Sequence, residues 1–534
     1  MKIHINQIGY RTHAPKIAVI SAESVPHGPI YLVNIDNSTR VELSFSKRGL
    51  DSYSGESLWE LDFSDIKAAG RYYIEFYNDS RSDEFVIGNQ IYGDTLQDLI
   101  QMLYYQRCGC GLHEHYAGVY RHDACHTGSV LRYSDGAKLP PITGGWHDAG
   151  DYGRYVTPGA VTVAHLLYLF ELYPRKCPDL KIPEHSSKEP DILSECRYEL
   201  DWLLKMQQED GSVAHKLTTE NHAPFIMPEE DTAQMILYPA STMVTADFVA
   251  VTALASRIFL PYDAEYSDRL LKAALHSEEF LASHPEMIGF RNPPGNNTGS
   301  YGDRTDSDER LWAYAELYRL TKEPRFLTAL NALLDQVPYK TSLGWGMVSG
   351  LAGLSILFAQ LDTFPEELCS IFRKAFMDSA DHFLEQSGTN GYHLAMPPEA
   401  FGWGSTMTLM DIASTLIIAT LLSGNPAYSM AAEEHLHYLL GRNPLDRCYI
   451  TGHGSHPIRN PHNRPTASDN IEEPFPGLVS GGANFYPCDD IARASLPKGT
   501  PALLCHLDHV DSYSTNEIAI YWNSITAFVM AFFA

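Results

Sequence analysis

What this chain can fold into is constrained most by a change of hydrophobic period near residue 89. Before it, short apolar runs such as Ile17-Ala18-Val19-Ile20, Ile30-Tyr31-Leu32-Val33 and Tyr72-Tyr73-Ile74-Glu75-Phe76 are separated by Gly, Pro, Asn and Ser. Runs of that length with turn residues between them predict a small all-β sandwich over residues 1–88. After it, Leu96, Leu99, Ile100 and Leu103 recur at helical spacing. About twelve amphipathic segments follow, among them residues 192–206, 246–259, 309–320 and 407–422. Twelve helices joined by loops predict an all-α domain over residues 89–534. Its expected form is an (α/α)6 barrel of six hairpins, with inner helices burying both faces and loops gathered at one end.

One segment escapes the helical period. Residues 441–513 are rich in Gly, Pro, Asn and Asp and carry no long apolar repeat. A loop of that length in a compact domain is usually functional, so it is expected to wall an active site. Charge narrows the partners. The 66 acidic against 39 basic residues give a formal charge of −27. Such a surface repels nucleic acid and anionic membranes and leaves neutral or cationic substrates. The longest apolar stretch, residues 518–534, is interrupted by Asn523, Ser524 and Thr526 and is short for a membrane span; it predicts a buried helix. Residues 1–7 alternate like a strand rather than a signal peptide, which predicts a cytoplasmic protein, or a secreted one if a leader has been removed. Nine cysteines, odd in number and mostly scattered, suit reduced thiols and a metal site better than a disulfide framework.

Chemistry concentrates in Gly144-Gly145-Trp146-His147-Asp148-Ala149-Gly150-Asp151-Tyr152-Gly153-Arg154-Tyr155. Its glycines let the chain turn tightly, and Asp148 and Asp151 can share one small space. Such a pair can hold a water, one carboxylate taking its proton and the other orienting it. The same residues also read as an Asp-Gly turn capping a helix that begins near Thr157. A third carboxylate, Glu517, lies in Ser512-Tyr513-Ser514-Thr515-Asn516-Glu517-Ile518, near the start of an apolar helix. Burial there raises a carboxyl pKa and makes an acid; Ser514 and Glu517 equally spell a capping box. Trp345 and Trp403, each flanked by glycines, occupy interhelical loops where a flat ring can stack on a pyranose, and Tyr513 precedes the third carboxylate. Cys108, Cys125, His126 and His147 offer two thiolates and two imidazoles, a closed set for structural zinc. Cys110 rivals Cys108 as a ligand, and His113 with His115 is assigned to a solvated loop.

Together these blocks resemble glycoside hydrolase family 9 over nearly the whole chain. The Gly-Gly-Trp-His-Asp-Ala-Gly-Asp-Tyr-Gly string resembles that family's base motif, and the Ser-Tyr-Ser-Thr-Asn-Glu run its acid motif. Tyr438-Leu439-Leu440-Gly441-Arg442-Asn443-Pro444 and Tyr449-Ile450-Thr451-Gly452 resemble the lead into its histidine signature, matched by Pro457-Ile458-Arg459-Asn460-Pro461-His462-Asn463-Arg464. The resemblance implies Asp151 as general base, Asp148 holding the water and Glu517 as general acid. It implies inversion, with carboxyls roughly 6.5–9.5 Å apart. It places His462 and Arg464 on sugar hydroxyls, Asn463 where a second histidine is usual, and Trp403 at a stacking position. It also implies a β-1,4-glucan or oligosaccharide substrate and an immunoglobulin-like N-terminal module. Members with that module carry a similar Arg-Cys-Gly and Cys-His pair, which supports zinc. Members often bind calcium; Asp303, Asp306 and Asp308 cluster before a helix but lack the glycine and glutamate of an EF-hand loop, and by themselves read as a helix-capping turn.

Three other readings remain open at this stage. One is an exo-acting β-glucosidase or β-glucosaminidase on cello- or chitosan oligosaccharides, which the acidic surface would suit. Another is a non-catalytic carbohydrate-binding protein, against which the three carboxylates argue together. The last is a zinc hydrolase, which needs an open coordination position. Oligomeric state leaves no mark in the sequence.

Overall fold

The computed structural model describes residues 1–26, 28–76 and 80–534. Nine strands occupy the N-terminal part: β1 (Lys2–His4), β2 (Gly9–Arg11), β3 (Ile17–Ser21), β4 (Ile30–Asn34), β5 (Arg40–Leu43), β6 (Phe45–Leu50), β7 (Ser57–Asp62), β8 (Gly70–Phe76) and β9 (Phe85–Gly88). They form two sheets, ordered β1-β3-β7-β6 and β2-β9-β8-β4-β5. Within these two sheets, among the described residues, β2 and β9 form the one parallel pair. Alternation decides which side chains go inward. Ala18, Ile20, Trp59 and Leu61 from one sheet meet Leu32, Ile74, Phe76, Phe85 and Ile87 from the other in a shared core. Each large apolar side chain buried there contributes about 1.5–3 kcal/mol.

Twelve helices of nine or more residues follow: α1 (Gly93–Tyr105), α2 (Val156–Leu172), α3 (Asp191–Met206), α4 (Thr242–Phe259), α5 (Ala264–Ser283), α6 (Ser307–Thr321), α7 (Pro324–Leu333), α8 (Ser349–Leu357), α9 (Glu366–Ser387), α10 (Ser405–Ser423), α11 (Pro426–Leu439) and α12 (Ile520–Phe533). Their faces fall into two kinds. In α4 every residue but Arg257 is buried, as an apolar surface all round requires. In α9 the buried set is Leu368, Phe372, Phe376, Ala380 and Ser387, mostly a stripe at four-residue spacing with solvent opposite. The even-numbered helices pack on one another, α2 on α4 and α12, α6 on α4 and α8, and α10 on α12. Each odd-numbered helix leans on an even one: α1 on α12, α3 on α2, α5 on α4, α7 on α6, and both α9 and α11 on α10. The architecture is thus an N-terminal β-sheet domain followed by a helical domain.

Helix starts differ from the sequence reading in one direction. The segments expected to begin at residues 246, 309 and 407 begin at Thr242, Ser307 and Ser405. Polar or small first-turn residues break the apolar period without breaking the helix; Ser241, for instance, caps α4 by accepting the Val244 amide. Two helices, α4 and α10, are long and apolar enough to cross a membrane, but 89% and 67% of their windows are buried inside the protein. The C-terminal stretch is the buried helix α12.

Two features position the site. Five short strands, β10 (Val130–Arg132), β11 (Lys138–Leu139), β12 (Arg154–Tyr155), β13 (Lys216–Thr218) and β14 (Ile236–Leu237), make a third sheet ordered β11-β10-β14-β13-β12. The N-terminal domain meanwhile braces the start of the 441–513 segment. Arg11 donates twice to Glu433 of α11, both at 2.7 Å. The Gln7 amide reaches the Leu440 carbonyl, and its side chain reaches that of Asp446.

Candidate active site

Asp148 and Asp151 stand on an irregular loop before β12, and that loop is clamped along its backbone. Gln106 Nε2 donates to the carbonyls of His147 (3.1 Å) and Ala149 (3.0 Å). The Ile520 amide donates to that of Asp148 (2.9 Å), and Arg464 Nη1 to that of Gly150 (2.6 Å). Four consecutive carbonyls are therefore satisfied, which fixes the loop. Gly150 is required by close approach: a Cβ there would lie 2.0 Å from the His462 carbonyl oxygen. The loop is not a helix cap; β12 intervenes before α2 begins at Val156.

Glu517 arrives from the other end of the chain. It stands just before a helix, as its sequence setting suggests, on extended backbone (φ −66°, ψ 161°) between the turn Tyr513–Asn516 and α12. The capping box does not form, because the Ser514 amide and hydroxyl both donate to Asp489. Extension lets three distant segments lie side by side. Glu517 bridges to His462, Ile518 to Ser480 and Ala519 to Ala149. A cavity of about 360 Å³ results, lined by Asp148, Asp151 and Glu517 with Tyr155, Tyr301, Tyr521, His222, Trp345 and Trp403.

The carboxyls differ in electrostatics. Burial pushes the Asp148 pKa well up, and the Asp151 charge adds to it. Tyr301 donates its hydroxyl to Asp148 Oδ2 at 2.5 Å, while Oδ1 is buried without a donor among the described residues. Tyr301 is itself held at φ 44°, a strained value for a non-glycine residue. Burial also acts to raise Asp151, but the His222 ring, Arg464 and the Gly153 amide outweigh it and hold this carboxyl below its usual range. Its Oδ2 accepts from Tyr155 OH (3.0 Å) and Gly153 N–H (3.1 Å) and lies 3.3 Å from His222 Nδ1. Burial and then the charges of Asp151 and Asp148 push Glu517 well up. The surroundings thus favour the charged form at Asp151 and the neutral form at Asp148 and Glu517.

The remaining expected contacts divide. Trp345 and Trp403 line the cavity, and Trp403 is 51% exposed with the Tyr513 ring 5.4 Å away. His462 and Arg464 stand beside the lining. His462 Nδ1 meets the Val510 carbonyl at 2.5 Å, so it carries the proton and leaves Nε2 as an acceptor. Burial pushes the His462 pKa down to about 4, which keeps the ring neutral. Arg464 commits Nε to the Ala223 carbonyl (2.7 Å) as well as Nη1 to Gly150; Nη2 has no acceptor among the described residues. Asn463 is fully buried and caps the turn Arg464–Ser468 by accepting the Thr466 amide, so it does not replace a sugar-binding histidine. Sequence reasoning missed Gln106, Tyr155, His222, Tyr301 and Tyr521. None carries a spacing signal; each reaches the site through the fold.

Cys108, Cys125, His126 and His147 converge, with one donor atom from each within 4.8 Å of the others. Neighbouring separations are 3.5 Å (Cys108 Sγ to His126 Nδ1), 4.0 Å (Cys108 Sγ to Cys125 Sγ) and 3.8 Å (Cys125 Sγ to His147 Nε2). A tetrahedral zinc with ordinary bond lengths has ligand–ligand edges of about 3.3–3.8 Å, close to these. Asp231 lies 3.3 Å from His126 Nε2 and would orient that ring. Cys110 is not part of the cluster. Asp303, Asp306 and Asp308 do not gather in this way. Asp306 pairs with Arg310 at 2.9 Å, and Asp308 accepts the Val348 amide at 2.9 Å.

Three carboxyls with opposite electrostatic settings in a cavity lined by aromatic rings are the arrangement of a glycoside hydrolase. The chain belongs to glycosyl hydrolase family 9, whose profile matches residues 92–530, and the cellulase N-terminal ig-like domain matches residues 1–80. It is 39% identical to a cellodextrinase from Butyrivibrio fibrisolvens over 99% of both chains. It is 34% identical to endoglucanase D from Acetivibrio thermocellus, over 100% of this chain and 83% of that protein. Among solved structures, a single mutant of a thermostable endoglucanase from Alicyclobacillus acidocaldarius superposes with a TM-score of 0.91 at 33% identity, covering 100% of this chain and 99% of that one.

Proposed function

We propose that the protein hydrolyses β-1,4-glucosidic bonds of cellulose-type glucans or cello-oligosaccharides with inversion. Asp151 acts as base, Asp148 holds the attacking water and Glu517 is the acid. The observation that carries this reading is the opposite setting of Asp151 and Glu517 in one cavity. Asp151 is ionised and has Oδ1 free of donors from the chain, among the described residues, to take a proton from water. Burial and the neighbouring carboxylate charges favour the protonated form of Glu517, which can give its proton to the leaving oxygen. Trp345 and Trp403 supply stacking faces, and His462 Nε2 and Arg464 Nη2 supply polar contacts at the margin. The full-length similarity to a cellodextrinase favours β-1,4-linked glucose over glucosamine. Cello- and chitosan oligosaccharides assayed side by side test the substrate, and Asp151→Asn and Glu517→Gln test the roles. Cleavage of the cello series, reduced at least a hundredfold in either variant, is expected. Unchanged hydrolysis in both variants contradicts it.

The twelve helices are proposed to close as an (α/α)6 barrel, with the domain boundary between residues 88 and 89. Cys108, Cys125, His126 and His147 would hold a structural zinc. Four protein donors leave no open position, so the ion supplies rigidity beneath the base loop rather than a reactive water. Calcium, which the family resemblance also suggests, finds less support: at the acidic turn Asp306 is paired with Arg310 and Asp308 accepts the Val348 amide.

A further inference from the structure

Asp151 has one feature that the general chemistry of two carboxylates does not require. The charged and titratable groups around it come from several elements. Asp148 shares its loop, Tyr155 lies on β12 and Lys216 on β13. Arg464 and His462 come from the histidine loop, and Glu517 from the segment before α12. Most are tied up elsewhere. Lys216 gives its amine to Asn292, Asn296, Thr298 and Gly299, and Arg464 is committed to two carbonyls. His222 is different. Its side chain is 38% exposed, lines the cavity and lies 3.3 Å from Asp151 Oδ2. Its ring makes this ion-pair contact with Asp151 and is held by no side-chain hydrogen bond among the described residues.

Its backbone, by contrast, is fixed on both sides. The Asn221 carbonyl accepts from Thr219 Oγ1 (2.6 Å), and Asn221 Oδ1 from Asn297 (2.7 Å). The Ala223 carbonyl accepts from Arg464, and the Ile226 carbonyl from Tyr152 OH (2.6 Å). Both Arg464 and Tyr152 hold or flank the base loop, so the imidazole is delivered to Asp151 by the same residues that fix the base. All three groups on the carboxylate, Tyr155 OH, Gly153 N–H and His222 Nδ1, approach Oδ2. Oδ1 has no donor among the described residues, yet it is not one of the buried polar atoms lacking a partner, so it opens to the cavity.

We propose that His222 is a positioning residue for the base, pinning Asp151 Oδ2 from the cavity side so that Oδ1 is the oxygen presented to the attacking water. This rests on the reading of Asp151 as base. Its consequence for pH follows from sign. A positive or donating ring beside a carboxylate favours the ionised form, so removing it raises the Asp151 pKa. Activity that needs the ionised base is lost as pH falls through that value. Loss of the ring therefore moves the acid limb upward.

The test compares the full chain with His222→Phe, His222→Gln and Asp151→Asn on a soluble cello-oligosaccharide, recording kcat, KM and thermal midpoint from pH 3 to 9. In His222→Phe, kcat is expected to fall on the order of tenfold with KM within about twofold, and the acid limb to rise by about one pH unit. His222→Gln, which restores an N–H of similar reach, is expected to recover most of kcat. A His222→Phe enzyme with normal kcat and an unmoved acid limb overturns the proposal. So does one altered in KM alone, which would make His222 a substrate contact. Asp151→Asn separates the two levels: if it stays active, the base reading itself fails; if it is inactive while His222→Phe is unaffected, only this inference fails.

Discussion

At the residue scale the catalytic argument rests on three carboxyls in one cavity whose surroundings set them apart. Asp151 is stabilised as an anion and Glu517 as an acid, so activity requires a depressed pKa below and a raised one above. The expected pH profile of kcat/KM is a bell. Its acid limb lies below the ordinary carboxylate range, and its alkaline limb, where Glu517 loses its proton, lies above it. Glu517→Gln should flatten the alkaline limb. It should also spare substrates with an activated leaving group, such as dinitrophenyl glycosides, far more than cellotetraose; equal loss on both would remove Glu517 from the acid role. The sequence displayed these three residues because their neighbours form recognisable strings. It did not display Tyr301, which donates to Asp148, and it gave no role to Tyr155 at the end of the base string, which donates to Asp151. An isolated tyrosine has no periodicity to mark it, and only the path of residues 292–301 brings Tyr301 to Asp148.

At the element scale the site is a junction of irregular segments held by backbone bonds. The composition of the 441–513 stretch reads as an active-site wall, but none of its residues lines the cavity; it brings His462 beside Glu517 and Arg464 onto the Gly150 carbonyl. Its internal course was not legible, because pairings such as Ser480 with Ile518 are single bridges without a strand pattern. Glu517 lies just ahead of α12 rather than in its first turn for a related reason: the apolar residues after it look helical from Ile518 on, but backbone pairing keeps residues 517–519 extended. Two predictions belong here. Gly150→Ala places a methyl carbon where 2.0 Å separates it from the His462 carbonyl, so the base and histidine loops must part. The expected result is a loss of kcat on the order of a hundredfold with little change in far-ultraviolet circular dichroism; wild-type kcat would show the junction to be slack. Stripping metal from the Cys108, Cys125, His126 and His147 cluster should lower the thermal midpoint and activity together, since His147 adjoins Asp148. A fully active, metal-free sample would rule zinc out as the brace.

At the scale of the whole molecule, the change of period near residue 89 falls between β9, which ends at Gly88, and α1, which begins at Gly93, although five short strands recur later; the even-numbered helices are the more deeply buried ones, α6 included despite its buried Asp308, Glu309, Arg310 and Glu316. What the sequence could not convey is how the two parts meet, because Arg11 and Glu433 are 422 positions apart and ordinary in their local context. Glu433 is almost fully buried, so Arg11→Ala would strand a buried carboxyl. The expected cost is about 2–3 kcal/mol, given an arginine that is itself partly exposed, read as a lower midpoint in urea at unchanged slope. An unchanged midpoint would mean that the domains do not depend on this contact. The central claim concerns how the assembled site breaks its bond, and stereochemistry reports on that directly. When cellotetraose is hydrolysed in an NMR tube, the first-formed reducing end released from the cleaved β-linkage should be the α-anomer, which then mutarotates. A β-anomer appearing first would mean retention through a covalent intermediate, and would contradict the pairing of Asp151 as base with Glu517 as acid.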